Sequence, residues 1–355
     1  MAGDIGLLRE LCLTPGPSGF EGPVQEVVRR RLSPLGEASR DPLGDLWLTV
    51  GQGDGPHVVV AAHADQIGLI VTGADDHGFV LVGAIGGVAA PLVPGREFVV
   101  HGARGPVRAV AGRPPTHLLD EADRDRTPPL DEQFLDIGAS SRARALERVA
   151  VGDPVTFAPG FVELSPGVVA TQALDDRAGV YVAVRALELY AASPGATRLT
   201  ALTTVMEETT FMGARAVALR EAPDVFVVVD GDFCSDTPAA DAKRLAGEVL
   251  LGAGPVLGRG AGSHHGLLEL ALAAAAGEGL PVQVKAAPED TYTDADELMA
   301  GGTAAALSLS LPVRYMHSPF EVAHLNDLEA AARLVAALAR RLGGPDGAAF
   351  TGRNP

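Results

Sequence analysis

The chain has 355 residues, 47% hydrophobic and 21% charged. That is enough apolar side chain to offset the entropy of ordering, so disorder and small disulfide scaffolds are excluded. Lys and Arg number 28 against 45 Asp and Glu, and the net charge of -17 repels phosphate backbones and anionic lipid, so neither nucleic acid nor membrane is expected as a partner.

Cys12 and Cys234 form no CxxC or Cys/His spacing, which fits a reducing compartment and argues against a structural zinc site. Asp4, Arg9 and Glu10 stand where the apolar core of an export signal would lie, so a cytoplasmic protein is expected. The uncharged stretch 78–95 holds five Gly and two Pro in short strand-like bursts and is not a membrane span.

In chain order, apolar periodicity predicts a helix over 23–35 and strands over 46–50 and 58–62, the second running into His63, Asp65 and Gln66. Residues 67–163 break this rhythm into short β runs, GFVLVG, REFVVHG and DPVTFAP, separated by Gly, Pro and one polar stretch at 120–132. They read as an inserted all-β domain. From 164 the alternation returns, with a helix from Asp176 to about 192, a strand over 199–205, a helix over 212–220 and a strand over 225–229. Further strands are expected over 247–252, 282–286 and 305–311, and helices over 264–277 and 326–342. The last dozen residues, GPDGAAFTGRNP, read as a loose tail. The fold class is α/β, with a catalytic domain built from 1–66 and 164–355 around the insert at 67–163.

Chemistry-bearing residues cluster where predicted strands end. In HxD, His63 and Asp65 can share a face, and a carboxylate at that spacing orients a metal-binding imidazole through its other ring nitrogen. In ALDDRAG, Asp175 can bridge two cations with its two oxygens, leaving the helix cap to Asp176; adjacent acids at a helix start also serve as caps alone. Glu207 and Glu208 close the β run LTALTTVM, and neighbouring carboxylates there divide naturally into one ligand and one general base. Asp230 follows FVVV, with Asp232 as an alternative ligand or a turn residue, and His317 follows the strand-like AAALSLSLPV. Several strands delivering chelating groups to one rim point to a ligand crevice. Two imidazoles and three carboxylates leave open positions on two metals, the arrangement of a hydrolytic rather than a structural site.

Taken in order, PGPSGFEGPV, DPLGDL, HADQIG, RPPTHLL, FLDIGASS, GDPVTF, ALDDRAG, MEETTFMGA, TYTDA and YMHSPFEV resemble the M42 family of metallo-aminopeptidases, which includes glutamyl and tetrahedral aminopeptidases. The resemblance implies a mixed-sheet, zinc-peptidase-like catalytic domain with a PDZ-like dimerisation insert. It implies two divalent cations per chain, zinc or cobalt ahead of manganese. Asp175 would bridge them, Glu208 and His317 would complete one site, and His63 and Asp230 the other. Glu207 would be the general base and Asp65 would orient His63. Substrates would be peptides with a free N-terminus, and the chain would be a homo-oligomer, a dimer assembling to a tetrahedral dodecamer.

Three departures from the family pattern stand out: Gln66 where HxDExG has Glu, DGDFCSDTP in place of a DVT-type start, and Thr291, Tyr292 and Asp296 in TYTDADEL where Gly is common. Competing expectations are a deacylase of small amides, a self-assembling scaffold with a decayed site, and a glycoside hydrolase. The last fits poorly with 5% aromatics, because sugar sites favour stacking rings.

Overall fold

The computed structural model describes residues 3–350 apart from 122, 123, 125, 221, 239, 241–244 and 303. Runs such as VFVVV and VVVAA, apolar at every position, suit strands buried on both faces, and they form the middle of an eight-stranded mixed sheet. From edge to edge its strands are Ser39–Arg40, Leu46–Val50, Arg198–Thr204, His57–His63, Val225–Phe233, Ala305–Val313, Val256–Gly260 and Gln283–Ala287. The four central strands, Arg198–Thr204 through Ala305–Val313, run parallel to one another.

Period-two alternation sorts each central strand between two cores. Val58, Val60, Ala62, Val225, Val227 and Val229 face the main cluster, built with the helices Ile5–Leu13, Gly22–Leu32, Leu174–Ala191, His265–Glu278 and Leu325–Leu342. Val59, Ala61, Phe226 and Val228 face the other side, covered by the helices Met212–Arg220 and Asp294–Ala300. The sheet is thus a middle layer with helices on both faces. No described helix is long and apolar enough to cross a membrane.

The expected β-rich insert contains a closed six-stranded barrel with strands Gly68–Ala74, Val80–Ile85, Phe134–Asp136, Gly105–Ala111, Glu97–Gly102 and Pro154–Phe157. It has its own core around Leu69, Val82, Phe98, Leu135 and Val155, with Phe98 and Phe157 tilted at 4.8 Å between ring centroids. Closure gives every strand a neighbour on both sides. One short helix, Arg142–Leu146, buries Ala145 in the same core. Of the polar stretch 120–132, residues 122, 123 and 125 lie outside the described residues.

Several sequence expectations need correction. Residues 247–252 form no strand; the sheet uses Val256–Gly260 instead. The N–H groups of Val249, Leu250 and Leu251 donate to side-chain oxygens of Ser235, Gln283 and Asp236 rather than to a neighbouring strand, so an apolar loop is held by polar side chains. The early helix stops at Leu32, three residues before the expected end. Part of the supposed tail is ordered as the 3₁₀ segment Pro345–Phe350, and Phe350 packs edge-on against His264 at 5.5 Å; residues 351–355 lie outside the described residues. A second sheet went unforeseen: Phe161–Ser165, Val168–Thr171 and Glu321–His324 pair antiparallel.

Candidate metal centre

The parallel centre of the sheet brings the expected polar residues to one rim. His63 ends its strand level with Thr204 of the neighbour. Val228 pairs with Ala61, which sets Asp230, two residues on, level with His63. Glu207 and Glu208 open a short helix just past the strand Arg198–Thr204, and His317 follows Ala305–Val313. The carboxyl ends of such strands form the natural ligand crevice of an open α/β sheet. Getting there strains the chain: Met206, just before Glu207, has φ 59° and His317 has φ 61°, left-handed conformations costing a side-chain-bearing residue roughly 1–3 kcal/mol.

Asp175 lies at the centre. Its Oδ1 is 3.1 Å from Nε2 of His63 and its Oδ2 is 3.2 Å from Nε2 of His317. One carboxylate therefore faces an imidazole on each side. His63 Nε2 also lies 3.8 Å from Glu207 Oε2 and 3.9 Å from Asp230 Oδ1, while His317 Nε2 lies 3.6 Å from Glu208 Oε2. Asp176 takes the helix cap, its Oδ1 accepting from the N–H of Gly179 at 2.9 Å. A Cβ at Gly179 would meet that carboxylate at 2.2 Å, so this turn requires glycine.

Fully buried Asp65 ties the two acid-bearing strand ends together. Its Oδ1 and Oδ2 accept from the N–H groups of Glu207 and Glu208, each at 3.0 Å, and Oδ1 lies 3.4 Å from Nδ1 of His63. Sequence reasoning missed a second such support. Glu321, also buried, accepts from the N–H of Asp175 at 3.0 Å and of His317 at 2.8 Å. The available signal was an acid opening the short EVAH strand just after HSPF.

This rim carries more negative charge than its own cations offset. Among the described residues, the ion pairs of Asp175, Glu207, Glu208 and Asp230 all go to His63 or His317. Glu208 Oε1 and Asp176 Oδ2 are buried with no hydrogen-bond partner. Buried carboxyls of this kind are neutralised either by protons or by a cation. Three sets of side chains place one ligand atom each within 4.8 Å of the others: His63 with Glu207 and Asp230, His63 with Asp175 and Glu208, and Asp175 with Asp176 and Asp230. Each set shares a member with another, so these side chains form one continuous cluster of donors suited to a divalent metal. His317 adjoins the second set as the most open member, with 38% of its side chain accessible.

The family model described as M42 glutamyl aminopeptidase matches residues 44–334. The chain belongs to this M42 family. It is therefore a peptide hydrolase. A lysyl aminopeptidase of Pyrococcus furiosus is 33% identical, the match covering 96% of this chain and 97% of the relative. The solved TET aminopeptidase of a marine-sediment Thaumarchaeota archaeon superposes with a TM-score of 0.91 at 28% identity, covering 98% and 99% of the two chains. The TET1 peptidase of Pyrococcus horikoshii, described as assembling into a tetrahedron or a large octahedral shell, gives 0.85 at 31% identity over 94% and 98%.

The departures from the M42 pattern have structural explanations. Gln66 Oε1 faces the fully buried Arg177 at 3.4 Å, and Arg177 also holds the carbonyls of Leu11 and Thr14. Asp232 belongs to none of the three ligand sets: both its oxygens bind Lys285 Nζ, at 2.8 and 2.9 Å. Asp296 closes the 291–296 turn by accepting from the N–H groups of Thr291 and Tyr292. Cys234 is buried beside Val249 and Val256, and burial pushes its thiol up to about 12, so it is protonated at neutral pH.

Proton affinities in this M42 centre follow from crowding. Burial, aided by repulsion from Asp230, Asp294 and Glu208, raises Glu207 to about 10 against the pull of His63. Burial and Asp175 raise Glu208 and Glu321 each to about 8. The hydrogen bond to Asp175 lifts His317 to about 9. Burial alone would lower His63, yet the carboxylates around it, Glu207 foremost, hold it well above the ordinary value. Burial also works against ionised Asp175, but the two imidazoles outweigh it and keep its pKa low.

A pH dependence follows. The raised groups bind more protons in the metal-free folded chain than in the unfolded chain, so stability falls as pH rises from about 4.5 through about 10. Asp175 and Asp65, whose pKa values are lowered, act in the opposite sense only near and below pH 4. Chelator-treated protein should therefore melt at a lower temperature at pH 9 than at pH 6. Restoring a divalent metal should shrink that slope, since bound metal displaces those protons. A melting temperature of the metal-free chain that rises across this interval would contradict the charge assignment.

Proposed function

We propose that the chain is a dinuclear, metal-dependent aminopeptidase that removes N-terminal residues from peptides. The observation that carries this reading is Asp175, with one oxygen facing His63 and the other facing His317. Glu208 and His317 would hold one divalent cation with Asp175, and His63 and Asp230 would hold the other with it; zinc or cobalt would suit this donor set, with manganese next. When bound, the two cations supply Lewis acidity that polarises the scissile carbonyl and lowers the pKa of water.

Glu207 is the general base. Its buried carboxylate sits at the rim beside His63, takes a proton from the attacking water and returns it to the leaving amine nitrogen. Asp65 fixes the backbone of both glutamates and the ring of His63, a positioning role. Glu321 does the same for the backbone of Asp175 and His317.

Residues 1–66 and 164–355 form the catalytic domain, and the insert at 67–163 serves as a PDZ-like dimerisation domain. Exposed Leu81, Val110 and Val151 on that insert and the assembly of the Pyrococcus horikoshii relative support a homo-oligomer built from dimers up to a dodecamer. The cell compartment consistent with the composition is the cytoplasm.

The test is hydrolysis of short peptides with free and N-acetylated termini, before and after chelation and with zinc, cobalt or manganese restored. Cleavage that requires metal and is confined to free N-termini is expected. Cleavage of acetylated peptides or other small amides in preference to free termini would overturn the aminopeptidase in favour of a deacylase.

A further inference from the structure

Beside the carboxylate cluster lies a cavity of about 360 Å³ to which the mechanism assigns no role. Gly231 forms part of its wall, and a Cβ placed on Gly231 would lie 3.8 Å from Asp175 Oδ1. Gly231 thus borders the cavity on one side and the Met316 methyl and Asp175 on the other. Val256, Ala286 and Pro288 give it apolar surface, while Thr293, Ser308 and Ser310 add hydroxyls. It has room for any amino-acid side chain.

Two of its lining residues form a closed ion pair. Lys285 Nζ binds both oxygens of Asp232, and only 19% and 11% of the two side chains remain accessible. Each charge is matched before any ligand enters. Glu289 and Asp290 also line the cavity, but both are exposed, so solvent and salt screen them.

Resting on the aminopeptidase reading, we propose that this cavity receives the side chain of the substrate's N-terminal residue, and that the Asp232–Lys285 pair makes it select uncharged residues. A carboxylate entering it meets Asp232 and an ammonium meets Lys285. Either also loses hydration without gaining an unmatched partner. An uncharged side chain loses little hydration and keeps the apolar contact. Removing one member of the pair leaves the other buried and unmatched, a state that a substrate of opposite charge relieves. Lys285→Met should therefore shift selectivity toward basic N-terminal residues, and Asp232→Asn toward acidic ones.

The experiment compares kcat/KM for leucyl, glutamyl and lysyl p-nitroanilides in metal-loaded wild type, Lys285→Met, Asp232→Asn and the double variant. In wild type the leucyl substrate should be favoured over both charged ones by about 10-fold or more. The lysyl-to-leucyl ratio should rise by about 10-fold in Lys285→Met, and the glutamyl-to-leucyl ratio by a similar factor in Asp232→Asn. The double variant should return to the wild-type order. Wild type preferring the glutamyl or lysyl substrate over leucyl overturns the proposal, whether or not the variants fold. So do ratios that stay fixed, or move in the same direction, in two folded single variants. A wild type that cleaves none of the three with its metals bound overturns the aminopeptidase reading as well, so the two failures are distinguishable.

Discussion

Glu207→Gln is expected to keep its full metal content and lose about 100- to 10,000-fold in kcat, the usual contribution of a positioned general base. Glutamine has the same shape, so the N–H of residue 207 still reaches Asp65 and the strand end stays in place. The amide cannot take a proton from water or return it to an amine. The geometry also offers a competing role, because Glu207 shares a ligand set with His63 and Asp230. Metal analysis beside the kinetics separates the two. Loss of a metal in Glu207→Gln would make Glu207 a ligand, and unchanged kcat would remove it from the chemistry altogether.

Asp175→Asn is expected to weaken both metals together, by more than the roughly 10- to 100-fold that loss of a supporting group costs. Each oxygen of Asp175 faces a different imidazole, and no second carboxylate among the described ion pairs touches both. An asparagine removes the negative charge and turns one of the two acceptors into a donor. Metal content below one per chain at zinc concentrations that saturate the wild type, with the circular dichroism spectrum retained, is the expected result. Retention of both metals would show that the two sites do not depend on a shared carboxylate.

Much of this arrangement is legible in the sequence because of where its polar residues stand. Parallel strands buried on both faces appear as unbroken apolar runs, so His63 after VVVAA and Asp230 after FVVV mark strand ends directly. The near coincidence of those ends at one rim then follows from sheet register. The illegible parts depend on distant partners. Asp232 looks like a possible ligand until Lys285, 53 residues on, is seen to hold both its oxygens. Glu321 is silent because it acts on the backbone of Asp175, 146 residues away. The run 247–252 reads as a strand by composition, but its N–H groups donate to side-chain oxygens of Ser235, Asp236 and Gln283, which hold it as a loop, and no local pattern encodes them.

The most direct test of two cations sharing Asp175 is a metal titration of the chelator-stripped wild type. Bound zinc per chain would be counted at each step while hydrolysis of one free-N-terminal peptide is followed. Binding that saturates at two per chain, with activity appearing as the second equivalent fills, is the expected result. Saturation at one metal per chain with full activity would contradict a dinuclear site.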